Sequence, residues 1–274
     1  MALITLEDIE RLSPLFQGKF GHALARTTMR VTGIDQLSER YGRRENLSGP
    51  AFVSAFLEDL DVHYQVQGIE QLQGIVDGPF VTISNHPYGG LDGLILIDLF
   101  GHLRDDYKVM ANKFLSMAKT ISGNFISVIP KTNDSNGIAQ ESINGIKKAI
   151  GHTRDGSPLG LFPAGAVSDL SLREGCVRDR EWQASAAGLI RHLKVPVVPV
   201  RFFDRNSNLF YFLGLISWKL RVLRLPREIL NKQGQTVHLG IGPAISVEQQ
   251  QRVPEADFAA MLRSAVYSIS KNQD

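Results

Sequence analysis

His86 and Asp92 are the residues of this chain best suited to acid–base chemistry, and five residues separate them. An imidazole can take a proton from a hydroxyl group at neutral pH, while a neighbouring carboxylate fixes its tautomer and stabilises the imidazolium. An isolated pair of this kind is more often a turn histidine and an N-terminal helix cap. The elements that position the pair must therefore decide between a catalytic and a structural interpretation.

The pair lies between a predicted strand and a predicted helix. Residues 80–84 are mostly β-branched or aromatic, which suits a buried strand. The stretch Asn85-His-Pro-Tyr-Gly-Gly is rich in turn formers, and the apolar run after it predicts a helix over residues 91–103. His86 and Asp92 are thus expected on the loop that leaves a strand, at the carboxyl edge of a sheet, where open α/β folds bind ligands.

Strands alternate with helices from residue 62 onward. The strands are predicted at residues 62–68, 80–84, 107–111, 126–130, 160–163, 195–200 and 236–241. The other helices are expected near residues 137–152, 183–193 and 254–271. This alternation predicts an α/β domain over residues 62–274, with a mixed central sheet flanked by helices.

Residues 1–61 are predicted to form a separate, helical segment. A capping box at Thr5 opens it, and further helices are expected at residues 34–41 and 51–60. Seven basic residues between Arg11 and Arg44 face only two acidic ones. This mixture of apolar and basic side chains suits an anionic membrane surface, and it equally suits a solvated helical cap over the main domain. Both interpretations stay open.

Composition limits the classes of protein to which the chain can belong. Its 274 residues, 43% of them hydrophobic, can bury a full core, and a net charge of +2 gives no reason to expect nucleic acid as a partner. The single cysteine, Cys176, excludes an internal disulfide framework and any zinc site built from several cysteines. The chain starts with acidic residues where a secretion signal is basic, and no run approaches the roughly 20 apolar residues of a spanning helix. A cytoplasmic location is therefore expected.

Several other predicted strands also end in polar or glycine-containing loops. Lys113 and Lys131 each follow a strand, Gly165 lies in the turn Phe162-Pro-Ala-Gly, and two prolines interrupt the strand near residue 198. A lone lysine is usually a solvated charge. Gathered at one sheet edge, however, these loops would supply positive charge and free backbone N–H groups near His86, which suits an anionic head group and a developing oxyanion.

These blocks resemble the lysophospholipid acyltransferase superfamily over about residues 65–245. The superfamily's four blocks correspond, in order and approximate spacing, to Asn85-His86 with Asp92, Lys131, Phe162-Pro-Ala-Gly165 and Val197-Val-Pro199. Within the superfamily the chain is most similar to a bacterial aminolipid branch, which O-acylates lyso-ornithine or lyso-glycine lipids. The stretches Asn85–Gly93, Val177–Trp182 and Asn231–Gly234 carry that closer resemblance.

The resemblance implies a role for each block. His86 would be the general base and Asp92 its orienting partner, while Asn85, Lys113, Lys131, Gly165 and Ser168 would contact substrate. The donor would be a thioester, with acyl-carrier protein preferred over acyl-CoA. Because a thioester is already activated, the reaction requires no metal, cofactor or covalent intermediate. A lipid acceptor implies a peripheral protein on the inner face of the cell membrane.

The chain departs from the superfamily pattern at two positions. Its His/Asp block is one residue longer than the usual His-x4-Asp, so whether Asp92 reaches His86 depends on the turn at Gly89-Gly90. Ala164 replaces the glutamate of the usual Phe-Pro-Glu-Gly, which is associated with a glycerol-phosphate acceptor. A lyso-aminolipid therefore fits better than lysophosphatidate. A lysophospholipid acyltransferase, a relative that transfers glycine to lipid A, and a non-catalytic lipid-binding protein remain as alternatives.

Two arginines are candidates for binding the carboxylate of an aminolipid. Arg178 and Arg180 each offer the planar guanidinium that binds a carboxylate through two parallel hydrogen bonds. Surface ion pairs with Asp179 and Glu181 explain the same two residues equally well. Ser168, in the same way, is also explained as a simple turn cap.

Residues 209–227 combine aromatic and leucine side chains with a trailing basic cluster. The segment is too charged to span a bilayer, yet Trp218, Lys219, Arg221 and Arg224 are residue types that interfacial segments use. A core segment with basic side chains that extend to solvent is the alternative. Membrane contact is the favoured interpretation, since a lipid acceptor would have to reach the active site from a bilayer.

Overall fold

The computed structural model describes residues 7–8, 10, 16–112, 118–128 and 140–272. The predicted capping box at Thr5 and the two strand-end lysines, Lys113 and Lys131, lie outside these described residues.

Within residues 16–61 three α-helices precede the sheet, and the helices predicted at residues 34–41 and 51–60 are confirmed, whereas the helix over residues 18–32 was not predicted. The three helices are α1 (Gly18–Thr32), α2 (Ile34–Arg43) and α3 (Gly49–Asp59). α3 begins at Gly49-Pro50. Proline is well suited to this position, because N–H groups in the first turn of a helix have no acceptor within the helix and the N–H that proline lacks is therefore not needed. The buried faces of α2 and α3 join the core of the domain through residues such as Leu37 and Phe52.

Nine strands are formed within the described ranges. They are β1 (Val62–Gln67), β2 (Val81–Ser84), β3 (Lys108–Asn112), β4 (Phe125–Val128), β5 (Leu159–Leu161), β6 (Asp169–Ser171), β7 (Cys176–Arg178), β8 (Val197–Phe202) and β9 (Gln235–Ile241). Seven of these form the central sheet in the order β1-β9-β8-β2-β5-β3-β4, while β6 and β7 form a separate antiparallel pair. β2 and its neighbours β5 and β8 are parallel, whereas β9 runs antiparallel to β8. The predicted mixed α/β sheet is confirmed.

The helices after the first strand cover both faces of the sheet. They are α4 (Gly90–Leu103), α5 (Gln140–Arg154), α6 (Ala184–Leu193), α7 (Asn208–Ile216), α8 (Trp218–Leu230), α9 (Val247–Arg252) and α10 (Glu255–Tyr267). α3 and α4 pack in one core cluster with Val109, Val198 and Leu239 of the sheet. The second cluster joins α5, α6 and α10 to Val81 and Ile83 of β2. β2 therefore lies in the middle of a layered structure, with its carboxyl end carrying the loop to α4.

The strand predicted at residues 195–200 begins and ends two residues later. Its second proline, Pro199, does not break it, contrary to expectation. The carbonyl oxygen of Pro199 accepts the N–H of Gly242 at 2.9 Å, so this residue remains in the sheet as an acceptor although it has no N–H to donate.

Residues 209–227 form two helices rather than one continuous segment, because the extended backbone at Ser217 separates α7 from α8. The basic residues of α8 do not act together. Arg221 is 6% exposed and pairs with Asp169, so its predicted place at a membrane interface is wrong. Nε of Arg224 lies 2.9 Å from Oε1 of Glu228, which leaves Lys219 as the exposed cation of the three.

Candidate active site

His86 and Asp92 meet at the carboxyl end of β2. Nδ1 of His86 lies 2.9 Å from Oδ2 of Asp92, so the longer loop does bring the two side chains together. The carboxylate is fully buried, whereas 17% of the histidine side chain is exposed. The pair therefore has one protected partner and one that a substrate can reach.

The loop closes on Asp92 because the carboxylate caps α4. Oδ2 of Asp92 accepts the N–H groups of Tyr88 and Gly89 at 2.9 and 3.0 Å. Gly89 has φ 79° and ψ −124°, a conformation that side chains with a Cβ rarely adopt. A Cβ there would also lie 2.9 Å from Leu225 of α8. Glycine at position 89 thus allows the sharp turn by which the loop, one residue longer than the superfamily pattern, brings Asp92 to His86.

The contact between the two side chains has the distance of a hydrogen bond but not its alignment. Nδ1 of His86 and Oδ1 of Asp92 are both buried without an aligned partner among the described residues. Catalytic hydrogen bonds are often poorly aligned without substrate and tighten when it binds. Burial raises the pKa of the Asp92 carboxyl, while His86 and the N–H groups of Tyr88 and Gly89 oppose that rise.

The turn Phe162-Pro-Ala-Gly165 supports the histidine ring. The rings of His86 and Phe162 are 4.0 Å apart between centroids, at an angle of 30°. The N–H of Gly165 donates to the carbonyl oxygen of Phe162 at 2.9 Å. This N–H is therefore engaged within its own turn, whereas the sequence suggested a free donor for an oxyanion.

The backbone of His86 is held by the segment that contains the β6–β7 hairpin. Its carbonyl oxygen accepts the N–H of Ser168 at 2.9 Å, and its own N–H donates to Oδ1 of Asp179 at 3.1 Å. The hydroxyl of Ser168 also donates to Oδ1 of Asp179, at 2.5 Å. Ser168 therefore contacts the loop that carries His86 rather than merely capping a turn.

Arg178 and Arg180 lie at the end of β7, each beside an acidic residue. Nη1 of Arg178 is 2.9 Å from Oε2 of Glu174, and Arg180 pairs with Asp169. The alternative pairing with Asp179 and Glu181 is wrong, because the hairpin brings different carboxylates alongside and the side chain of Asp179 turns inward.

Asn85 connects the loop that carries His86 to the neighbouring strand β8. Its Nδ2 donates to the carbonyl oxygen of Phe202 at 2.9 Å, and its Oδ1 accepts the N–H of Phe202 at 2.8 Å. This double hydrogen bond fixes the end of β2 against β8, immediately before His86.

Within the described ranges no three His, Cys, Asp or Glu side chains are grouped so that they could hold a metal ion.

Asp179 is the residue of this site that the sequence did not single out as functional. It lies in the stretch Val177-Arg-Asp-Arg-Glu-Trp182, where alternating charges indicate surface ion pairs. Its side chain is nevertheless buried, and the donors that it accepts come from three separate parts of the chain. Only the closer resemblance over residues 177–182 marked this stretch in the sequence.

A set of exposed apolar side chains on α1, α7 and α8 forms a surface next to the site, here called the apolar face. Its members are Phe20, Leu24, Val31, Leu209, Phe212, Leu215, Ile216, Trp218, Leu220, Val222 and Leu223. Phe20 is 94% exposed and Trp218 is 61% exposed. α8 packs against both α1 and α7, so the three helices that carry these side chains adjoin. None of the helices in the described part of the chain has the length and apolar character needed to cross a membrane.

Comparisons with known proteins agree with the motifs. Residues 16–273 match the model of a family described as Acyltransferase. A lyso-glycine lipid O-acyltransferase from Bacteroides thetaiotaomicron is 27% identical over 249 residues, which cover 88% of this chain and 87% of that protein. A protein of the same name from Phocaeicola vulgatus is 26% identical over 279 residues, covering 97% of this chain and 96% of that one.

Among solved structures, one with a similar fold is the 1-acyl-sn-glycerophosphate (LPA) acyltransferase PlsC from Thermotoga maritima. The two structures have a TM-score of 0.48 and 13% sequence identity, and the comparison covers 96% of this chain and 92% of that chain. The family match spans nearly the whole chain, and it confirms the resemblance carried by the His/Asp and Phe-Pro-Ala-Gly blocks. The protein therefore belongs to this acyltransferase family and is an enzyme that transfers acyl groups.

Proposed function

We propose that this acyltransferase moves a fatty acyl group from a thioester donor to the hydroxyl group of a lyso-aminolipid. The observation that carries the proposal is the pair of His86 and buried Asp92, with Nδ1 and Oδ2 2.9 Å apart on a substrate-accessible loop. Relatives named for lyso-glycine lipids support the choice of acceptor. Acyl-carrier protein is the preferred donor and acyl-CoA the alternative, since both present the acyl chain as a thioester.

In this mechanism Nε2 of His86 takes the proton of the acceptor hydroxyl as that oxygen attacks the thioester carbonyl carbon. Asp92 lies beside Nδ1, so it favours the tautomer that leaves Nε2 free to accept, and it stabilises the imidazolium. The tetrahedral intermediate then expels the thiolate, which takes the proton back from the imidazolium. A C–O ester bond thereby replaces the C–S bond. Productive binding requires the hydroxyl within about 3 Å of Nε2.

The acceptor is inferred from the charges around the turn and the hairpin. Ala164 is buried where the superfamily pattern has a glutamate, so the turn next to His86 offers no carboxylate of its own. Arg178 and Arg180 would bind the acceptor's carboxylate in place of Glu174 and Asp169, because exposed ion pairs contribute only about 0–1 kcal/mol. Lys113 and Lys131 are proposed as head-group contacts on the resemblance alone.

The acceptor can be tested by offering purified protein a lyso-glycine lipid and lysophosphatidate in parallel, with the same thioester donor. We expect kcat/KM to favour the lyso-aminolipid. Arg178→Gln and Arg180→Gln should each lower kcat/KM for that lipid by about tenfold, the effect of losing a charge-assisted pair. Lysine at either position should recover only part of the loss, because an ammonium group lacks the planar fork.

Arg173→Gln provides the matched control, because it removes an exposed arginine from the same hairpin. It should leave kcat/KM unchanged. A clear preference for lysophosphatidate would contradict the assignment of the acceptor and favour an ordinary lysophospholipid acyltransferase.

The apolar face is the surface through which the enzyme would reach its lipid. Lys19, Arg26 and Arg30 of α1 are exposed and spaced seven and four residues apart, so they form a basic stripe along one side of that helix. Leu225 of α8 lies against Gly89, and the hydroxyl of Tyr211 in α7 is 3.4 Å from the carbonyl oxygen of Pro87. A bilayer bound at this face would therefore lie next to the loop that carries His86.

Liposome flotation tests this surface. Binding should rise with the content of anionic lipid and fall with added salt, because salt screens exposed charges beyond about 10 Å at 0.1 M. Replacing Lys19, Arg26 and Arg30 by Gln should remove most of the salt dependence, whereas Trp218→Ala should weaken binding at every salt concentration. Gln at Lys147 and Lys148, exposed on α5 across the sheet, is the matched control. Equal binding by all of these variants would rule out the apolar face as the contact.

A further inference from the structure

We infer that Asp179 is a positioning residue for His86, an inference that rests on the proposed role of His86 as general base. Asp92 contacts the histidine ring, whereas Asp179 holds the histidine backbone. Two buried carboxylates on different elements would thus fix the same residue, one on α4 and the other just after β7.

The hydrogen bonds of Asp179 connect His86 to two other parts of the site. Oδ1 accepts the N–H of His86 at 3.1 Å and the hydroxyl of Ser168 at 2.5 Å. Oδ2 accepts Nε1–H of Trp182 at 3.0 Å. Ser168 in turn donates its N–H to the carbonyl oxygen of His86 at 2.9 Å. Both backbone polar groups of His86 are therefore bound by Asp179 and Ser168, not by a neighbouring strand.

Asp179 can position the loop because its own backbone is fixed. Its N–H donates to the hydroxyl of Tyr267 at 2.7 Å, and its carbonyl oxygen accepts Nη2–H of Arg263 at 2.6 Å. Both partners belong to α10, which packs on the sheet through Phe258, Leu262 and Val266. The His86 backbone is therefore held in place by contacts that lead to the core of the domain, not by the exposed hairpin alone.

A carboxylate is the side chain that this arrangement requires. Three donors converge on its two oxygens, and an unpaired donor at a buried position is destabilising. Asparagine has the same shape but only one acceptor oxygen, so its Nδ2–H group would face either Trp182 Nε1–H or the N–H of His86. If Nδ2 faces His86, the N–H of His86 loses its acceptor directly. If Nδ2 faces Trp182, the two N–H groups repel each other, which turns the carboxamide and moves the oxygen that holds His86. The loop that carries His86 therefore shifts in either orientation.

Asp179→Asn is therefore expected to lower kcat by about 10–100-fold, while KM for either substrate changes by less than about threefold. The second readout does not depend on turnover. Long-range ¹H–¹⁵N spectra, assigned with the aid of His86→Ala, should show that the His86 ring nitrogens shift and broaden in Asp179→Asn.

Asp98→Asn is the matched control. Asp98 is another buried carboxylate, which accepts hydroxyl groups of Ser54 and Tyr64 at 2.5 and 2.7 Å and does not contact His86. It should lower the melting temperature without changing kcat or the ring signals of His86. A change in melting temperature alone for Asp179→Asn, with kcat and the ring signals unaltered, overturns the inference. If no lyso-lipid is turned over, the proposed function fails and the ring signals still decide the role of Asp179.

A second pair of variants applies if Asp179→Asn does not fold. Ser168→Ala deletes the donor on the His86 side, and Trp182→Phe deletes the donor on the far side, while both keep the carboxylate. Positioning predicts that Ser168→Ala shifts the His86 ring signals and lowers kcat several-fold, by about 3–10 times, whereas Trp182→Phe lowers only the melting temperature. Equal effects of the two variants on kcat and on the spectra would also overturn the inference.

Discussion

Replacing His86 by alanine is expected to lower kcat by about 10³-fold or more, because the substitution removes the group proposed to take the hydroxyl proton. A water molecule in the vacated space is a far weaker base, and neither Asp92 nor Asp179 can replace the imidazole since each is buried in backbone and side-chain hydrogen bonds. Binding of the donor and acceptor should persist. The kinetic loss should therefore be found in kcat much more than in KM.

The fold should tolerate this substitution. His86→Ala removes a ring contact with Phe162 at 4.0 Å, worth about 0.5–1.5 kcal/mol, and leaves the backbone hydrogen bonds of residue 86 in place. His102→Ala is a matched control, because His102 also lies beside a carboxylate of α4, with Nδ1 3.6 Å from Oδ1 of Asp98, but away from the loop. If purified His86→Ala turns over substrate at nearly the rate of the His102→Ala control, the proposed mechanism is wrong.

The strand, loop and helix that carry His86 could be predicted from the sequence because each signal is local. The predicted strand at residues 80–84 contains β2, and the helix predicted at residues 91–103 is α4 within one residue. Asn-His-Pro-Tyr-Gly-Gly marked the loop through turn formers alone. A polar residue can be placed at the carboxyl edge of a parallel strand without knowledge of distant contacts. The position of His86 therefore followed from the residue types of the strand, loop and helix and from their order in the chain.

The partners of these residues could not be predicted in the same way. Asp179 lies 93 positions from His86 in the chain and is flanked by Arg178 and Arg180, so its local pattern is that of a solvated surface. The exposed β6–β7 hairpin has three-residue strands, too short to give an alternating pattern, yet it decides that Arg178 pairs with Glu174. Arg221 likewise has the sequence context of an interfacial cation, and its contacts with Asp169, Ser168 and the ring of Phe210 explain its burial.

Asp92→Asn is expected to lower kcat by about 10²-fold or more while leaving the helix cap intact, since the carboxylate's charge and tautomer control are lost. The asparagine oxygen has two lone pairs, so it can still accept the N–H groups of Tyr88 and Gly89 that Oδ2 accepts now. The loop should keep its shape. Asp92→Ala should lose the same catalytic function and, in addition, about 1 kcal/mol of stability because the cap of α4 is removed.

The two Asp92 variants should differ in stability, although both lose activity. Burial raises the pKa of the Asp92 carboxyl above its value in the unfolded chain. A group shifted in that direction weakens the fold as pH rises through its folded pKa, so ionised Asp92 reduces stability at neutral pH. The neutral Asp92→Asn protein should therefore melt at or above the temperature of the wild type at pH 7.

The stability advantage of Asp92→Asn should shrink as the pH falls and the wild-type carboxyl takes up its proton. Thermal melts of the wild type and both variants at several pH values, paired with turnover at pH 7, measure both effects. Such a result would show that the enzyme keeps a charge at a position where the fold alone favours a neutral group. If Asp92→Asn instead retains wild-type kcat, the charge of Asp92 has no part in the transfer, and its place beside His86 is explained by the cap of α4 alone.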